Sequence, residues 1–167
     1  PAELAARAVD PAAVPGWIAE LLAAGRVVRL TIAGEARLAA VEDAARYRDA
    51  LGARLPPGIP ATLLGPVADP LGDLVSRFAR THGPFAAERL ADRLGLGAAA
   101  VRPALERLRA AGRLVEGELL PGGRGVEFCD ATVLRTLKQR TLARLRHDVE
   151  PVEPEVFARF LLEWQGV

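Results

Sequence analysis

A chain of 167 residues, 50% hydrophobic and 26% charged, has globular composition and room for one domain with a full core or for two small ones. Its net charge of +1 decides nothing about a polyanionic partner, because such a footprint is a local patch. A single cysteine, Cys129, with His82 and His147 excludes an intramolecular disulfide and a four-ligand Cys/His zinc site, and the absence of an apolar span or signal-peptide pattern points to a soluble, cytoplasmic protein.

In chain order, Leu4 to Val9 reads as a short helix, and Asp10-Pro11 as the cap of an amphipathic helix ending at Gly25. Apolar runs at 27–32 and 37–41, turning at Gly34, predict a hairpin, with a helix at about 42–51 after it. Between 55 and 70 stand Pro56, Pro57, Pro60, Pro66 and Pro70, which exclude regular helix or central strand. Ile59, Leu63, Leu64 and Val67 make the stretch too apolar for a loose linker, so a stiff, docked connector is expected, with Trp17 at least partly buried against it.

Asp69-Pro70 then opens a helix over about 70–82 whose apolar face is Leu71, Leu74, Val75 and Phe78. A short helix follows from Ala86 to Leu94, and a third over about 98–111, which buries Val101, Ala104, Leu105 and Leu108. Pro103 should displace its start or kink it. Residues 113–120 read as a strand, 121–125 as a hairpin tip and 126–129 as the return strand. Helices at about 131–147 and 154–164 close the chain, the second either covering a core face or leading into a further unit.

Residues 18–28 match 105–115 at a constant offset, each a helix end, a glycine and a short apolar strand. Three helices and a two-stranded hairpin are a winged helix. The fold class is therefore mainly α with small β hairpins, as tandem winged-helix units. Residues 1–52 form one unit without its first helix, as expected of an excised piece, and 53–68 form the connector. A complete unit with its following basic helix occupies 69–147, and 148–167 a C-terminal helix.

The chain has no phosphate-binding loop, because its one lysine, Lys138, lies in Leu137-Lys138-Gln139 rather than after the required glycines. This stretch is therefore read as non-enzymatic, without cofactor or metal. Cys129 reads as a buried small hydrophobe, and Glu116, Glu118 and Glu127 as solvated edge charges of the wing. The basic run Arg135, Lys138, Arg140, Arg144 and Arg146 spreads around its helix, which favours solvation or pairing with the acids after it over one phosphate-binding stripe. In winged helices that read duplex DNA the third helix enters the major groove and the wing touches backbone or minor groove. The candidate DNA contacts are accordingly Arg102, Arg107 and Arg109 on that helix, with Arg113 and Arg124 on the wing.

The connector Leu55-Pro56-Pro57-Gly58-Ile59-Pro60, the run Asp69 to Val75 and the run Arg77 to Phe85 with its Thr-His-Gly-Pro-Phe resemble the C-terminal region of bacterial large helicase-related (Lhr) proteins. So do Leu120-Pro121-Gly122-Gly123 leading to Phe128-Cys129-Asp130, and the closing Arg159-Phe160-Leu161 with Trp164-Gln165. The resemblance implies an ATP-dependent DNA helicase and translocase involved in DNA repair, whose ATP and Mg site lies in motor domains elsewhere in the parent. It makes DNA, duplex or single-stranded, and neighbouring domains of the parent the expected partners, leaves a homo-oligomer open, and involves no membrane. The Gln-x-Gln signature of related winged-helix glycosylases has no counterpart, since the only glutamines are Gln139 and Gln165. A free-standing winged-helix transcription regulator and a purely structural oligomerisation module are the alternatives.

Overall fold

The computed structural model describes residues 2–123, 125–149 and 152–166. Eight α-helices and two antiparallel hairpins follow in the order α1 (Ala2–Ala5), α2 (Val14–Ala23), β1 (Val27–Ile32), β2 (Glu35–Ala40), α3 (Ala44–Leu51), α4 (Pro70–Thr81), α5 (Ala87–Leu94), α6 (Ala98–Ala110), β3 (Leu114–Gly117), β4 (Glu127–Asp130), α7 (Ala131–Asp148) and α8 (Pro154–Gln165), with 3-10 turns at Val41–Asp43 and Ala61–Leu63. Two compact units result, Pro1–Val133 and Leu134–Val167, so the division falls inside α7 rather than after it.

The sequence repeat is a structural repeat, and its hydrogen bonds correspond one for one. Ala24, Gly25 and Arg26 donate to the carbonyls of Glu20, Leu22 and Leu21; Ala111, Gly112 and Arg113 donate to those of Arg107, Arg109 and Leu108. Gly25 and Gly112 stop their helices at φ of 65° and 70°, a left-handed conformation that only glycine enters without steric cost. Each hairpin is closed alike, by Val41 donating to Arg26 and Ala131 donating to Arg113. This is a tandem winged-helix architecture.

The second repeat is complete. Val75, Phe78 and Ala79 of α4, Leu90 and Leu94 of α5, Val101, Leu105 and Leu108 of α6, and Leu114 and Phe128 of the hairpin form one core. Asp69 caps α4 by accepting from the Gly72 N–H at 3.1 Å. Phe85, between α4 and α5, exchanges both backbone hydrogen bonds with Phe128 and adds an isolated bridge to the edge of the wing. Helix α6 starts at Ala98 despite Pro103, which lies on the exposed face, where the carbonyl it leaves unpaired is open to water.

The first repeat uses its hairpin as core. Val28, Leu30, Ile32, Ala39, Val41 and Ala44 are buried, and Leu55, Ile59 and Leu63 of the connector pack on them. The connector is also tied by its backbone, Leu64 accepting from Arg48 at 3.0 Å and Val67 donating to Asp49 at 3.1 Å. Trp17 remains 47% exposed, and the connector's apolar residues cover the sheet and α3 instead. Leu51 packs against both cores. Asp43 accepts from Arg46 at 2.6 Å and from Arg77 of α4 at 2.5 Å, while Arg46 also reaches Asp73 at 3.0 Å, which clamps α3 to α4.

Several boundaries differ from the sequence reading. The expected helix at 4–9 shrinks to α1, and Val9 is fully exposed, because no neighbouring element gives it a buried face. Asp10 accepts from the N–H groups of Ala12 and Ala13, forming a turn before α2 rather than its cap. The expected strand at 113–120 stops at Gly117, since the next backbone donors turn to a side chain, and the return strand runs one residue further, to Asp130. That side chain is Glu127, which corrects its reading as a solvated charge: it is buried and accepts from the N–H groups of Leu119 and Leu120, each at 2.8 Å.

In the second unit, none of the described residues of α7 or α8 is buried, and Phe157, Phe160 and Trp164 of α8 stand exposed. Among the described residues the α7 cations Arg135, Lys138, Arg140, Arg144 and Arg146 have no ion-pair partner in α8, whose Arg159 pairs with its own Glu163 at 3.6 Å. No described helix is long and apolar enough to cross a membrane.

Candidate nucleic-acid interface

The two wings differ in what surrounds them. The first ends in the two-residue turn Ala33-Gly34, at φ of 52° and 77°. Ala33 lies so close to Gly95, the turn between α5 and α6, that a Cβ on Gly95 would come within 3.1 Å of Ala33 backbone atoms. The tip of the first wing is thus seated on the second repeat. The second wing has four paired residues and a glycine-rich loop whose base Glu127 ties down.

Between the start of α5, Arg102 of α6 and this second wing lies a cleft of about 500 Å³ lined by Glu88, Glu116, Gly125, Val126 and Phe128, among others. Arg102 and Arg109, two helical turns apart, share the side of α6 that faces the hairpin. Arg102 stands 3.9 Å from Glu88, and Arg109 pairs with Glu116 of β3 at 3.1 Å. Arg107 points elsewhere, pairing at 3.0 Å with Asp69 at the start of α4. Arg113 donates to the Ser76 hydroxyl and so braces the root of β3 against α4. Arg124 lies outside the described residues. The structure therefore places Arg102 in the cleft, holds Arg109 against Glu116 at its edge, and turns Arg107 and Arg113 toward Asp69 and α4.

All three arginine–carboxylate pairs are solvent-exposed, where an ion pair is worth about 0–1 kcal/mol, so a phosphate could displace the carboxylate at little cost. Sequence reasoning missed the carboxylates that hold these cations. Only Glu88 and Asp69 lie far from their arginines in sequence; Arg109 and Glu116 flank one helix–strand turn, and that pair could have been anticipated. Cys129 is buried, and burial pushes its thiol up, away from a nucleophilic thiolate. Among the described residues no group of three or more His, Cys, Asp or Glu is placed to hold a metal.

Residues 1–66 match the family model described as large helicase-related protein, winged-helix domain. The chain is 45% identical over 154 residues to a Mycolicibacterium smegmatis protein named Lhr helicase/probable uracil glycosylase. It is 40% identical over 154 residues to an Escherichia coli K12 protein named Lhr helicase/uracil glycosylase. Each alignment covers 92% of this chain and 10% of the relative, so the chain spans about a tenth of the length of the curated relatives it matches.

Proposed function

We propose, from the premise that the chain is a segment of the large helicase-related (Lhr) family, that it is a non-catalytic winged-helix pair that engages DNA for an ATP-dependent helicase acting in DNA repair. The second repeat makes the contact and the first scaffolds it. The observation that carries this reading is the difference between the wings: the first is seated on Gly95, whereas the second leaves an open cleft lined by Arg102 and by Gly125 of its tip. A glycine-rich strand approach lets backbone come close to a phosphate, and the exposed pairs on α6 can exchange a carboxylate for one. Helicase chemistry, with its ATP and Mg, and the glycosylase activity in the relatives' names are assigned to the remainder of such a parent, because this sequence has neither a phosphate-binding loop nor the Gln-x-Gln signature.

A second reading, a scaffold without DNA contact, is favoured by the acidic partner that each α6 arginine already has. Salt-dependent binding to duplex and single-stranded DNA separates the two. Removing one phosphate contact by Arg102→Ala or Arg124→Ala flattens the slope of log affinity against log salt by roughly 0.9 on duplex DNA, equally for all sequences. An affinity and slope unchanged in the double variant leave the scaffold reading.

A further inference from the structure

The seam between the two repeats carries two recesses that share a wall. One, of about 420 Å³, is lined by Arg37 and Leu38 of β2, Tyr47 of α3, Arg93 of α5 and Glu3 of α1, among others. The other, of about 600 Å³, is lined by Arg77 and Arg80 of α4 and by His82 just after it. Tyr47, Arg93 and Leu94 line both, so the recesses form one trough with Arg93 at its middle. Its walls are mainly basic. Arg77 is held by Asp43 at 2.5 Å, whereas Arg80 has no partner among the described residues.

Three details define what such a trough holds. First, a carboxylate already occupies one end of it. Arg93 grips Glu3 with both prongs of its fork, Nη1 to Oε1 at 2.8 Å and Nη2 to Oε2 at 2.7 Å, the geometry in which a guanidinium also takes two phosphate oxygens. The Arg93 hydrogen bond, aided by the charges of Arg93, Arg37 and Arg7 and opposed by burial, holds the Glu3 carboxyl below the usual carboxylate range, so three arginines act on one anionic point. Second, the Arg37 Nε is buried without a hydrogen-bond partner, the one such side-chain atom among the described residues. A buried donor without an acceptor is costly, so this side chain gains by turning to an oxygen ligand. Third, His82 stacks one ring face on Phe78 at 3.8 Å while lining the second recess, which Tyr47 lines as well.

We infer that this trough is a binding site for single-stranded nucleic acid, with Arg93 and Arg37 on one phosphodiester, His82 and Tyr47 offering ring faces to a base, and Glu3 an internal carboxylate that the strand displaces. The displacement is easy, because Glu3 is exposed on a helix of four residues and an exposed ion pair contributes little. Arginine forks and ring faces within one recess suit a strand whose bases are unstacked; a duplex keeps its base faces inside the stack, out of reach of any side chain. The site is separate from the cleft beside the second wing and shares no residue with it.

The test uses the whole chain with fluorotyrosine at Tyr47, the only tyrosine, and an oligothymidylate of about ten nucleotides, within the span of one single-strand site. The expected result is a shift of the fluorine resonance on binding. Glu3→Gln should tighten binding about threefold, while Glu20→Gln, an exposed acid of α2 that lines neither recess, should leave it unchanged. Arg37→Gln with Arg93→Gln should weaken binding about tenfold and flatten the slope of log affinity against log salt by roughly 0.7, the value for one phosphate of a single strand. Glu3→Gln keeps the test decisive if the arginine variant does not fold. Equal affinities for Glu3→Gln and Glu20→Gln overturn the inference. So does a fluorine shift produced as readily by oligoglutamate, since the trough is then a carboxylate site for a protein partner. Arg102→Ala with Arg124→Ala should leave the fluorine shift in place, so a failure here and a failure of the wing contact are told apart.

Discussion

The two wings start from the same helix cap and the same closing hydrogen bond, yet the first is covered along its length while the second runs out into a long exposed loop. The first wing pairs six residues on each strand and buries one face of β1, Val28, Leu30 and Ile32, under the connector. The second pairs four and spends its remaining length on a loop held by Glu127. A shared local sequence thus specifies the stem of each unit, while the reach of each hairpin is set by its neighbours: a proline-rich connector covers the first, and the tip of the second extends past the core that holds Leu114 and Phe128.

The largest expected effect tests the buried wing. Leu30→Ala removes a side chain that is 2% exposed and should cost about 3 kcal/mol in urea unfolding, whereas Val115→Ala in the second wing, at a partly exposed position, should cost under about 1 kcal/mol. Equal losses would mean that Val115 is covered as fully as Leu30. Next comes the seat of the first wing. Gly95→Val adds a side chain at φ +68° against Ala33 and should cost about 2–3 kcal/mol; Gly122→Val, at φ +73° with open space around it, should cost only the backbone strain of about 1–2 kcal/mol. If the two substitutions prove equivalent by thermal unfolding, the first wing is not held by the second repeat.

Much of this contrast could be anticipated from particular residues. Gly25 and Gly112 announced both stems, and Asp69-Pro70 the start of α4, because caps and glycine stops are local physics. Val126, Glu127 and the glycines around them read as a wing, but the role of Glu127 did not, since a carboxylate on a strand looks solvated until the chain folds back to offer it two N–H donors. Arg107 and Arg113 looked equal to Arg102 as DNA contacts; their partners Asp69 and Ser76 are 38 and 37 residues away and are brought in by tertiary packing alone. The α3–α4 clamp is of the same kind, with Arg77 and Asp43 separated by 34 residues.

A smaller effect sharpens the account of the free wing. Glu127→Ala leaves the N–H groups of Leu119 and Leu120 without their acceptor and should cost about 1–2 kcal/mol, with faster amide exchange confined to the loop. Exchange that spreads into β1 and β2 would show that the wings are not independent. The smallest effect is one of pH, and it separates the repeats because the first contains no histidine. Burial against Phe78, on which its ring stacks at 3.8 Å, holds the His82 imidazole below the usual histidine range, with Arg93, Arg7 and Arg89 adding to the shift and the Phe78 carbonyl opposing it. The unfolded chain then takes up a proton before the folded one does. Stability contributed by His82 is complete above the unfolded value of about 6.5 and is lost as pH falls toward the lowered folded value. His82→Gln should reduce the fall in melting temperature between pH 7.5 and pH 5.5, and an unchanged fall would assign the acid sensitivity to other groups.

Leu51 touches both cores, and Asp43 is shared between an arginine of each repeat. In a solenoid whose repeats meet only at replaceable interfaces, single units can be lost or duplicated with little damage. Here, excising the second repeat would leave one side of Leu51 facing water and half of the Asp43 fork unmatched, and excising the first would take Asp43 away from Arg77. The pair, rather than the single repeat, is therefore the unit that packs together, and a separation of α3 from α4 would break both shared contacts.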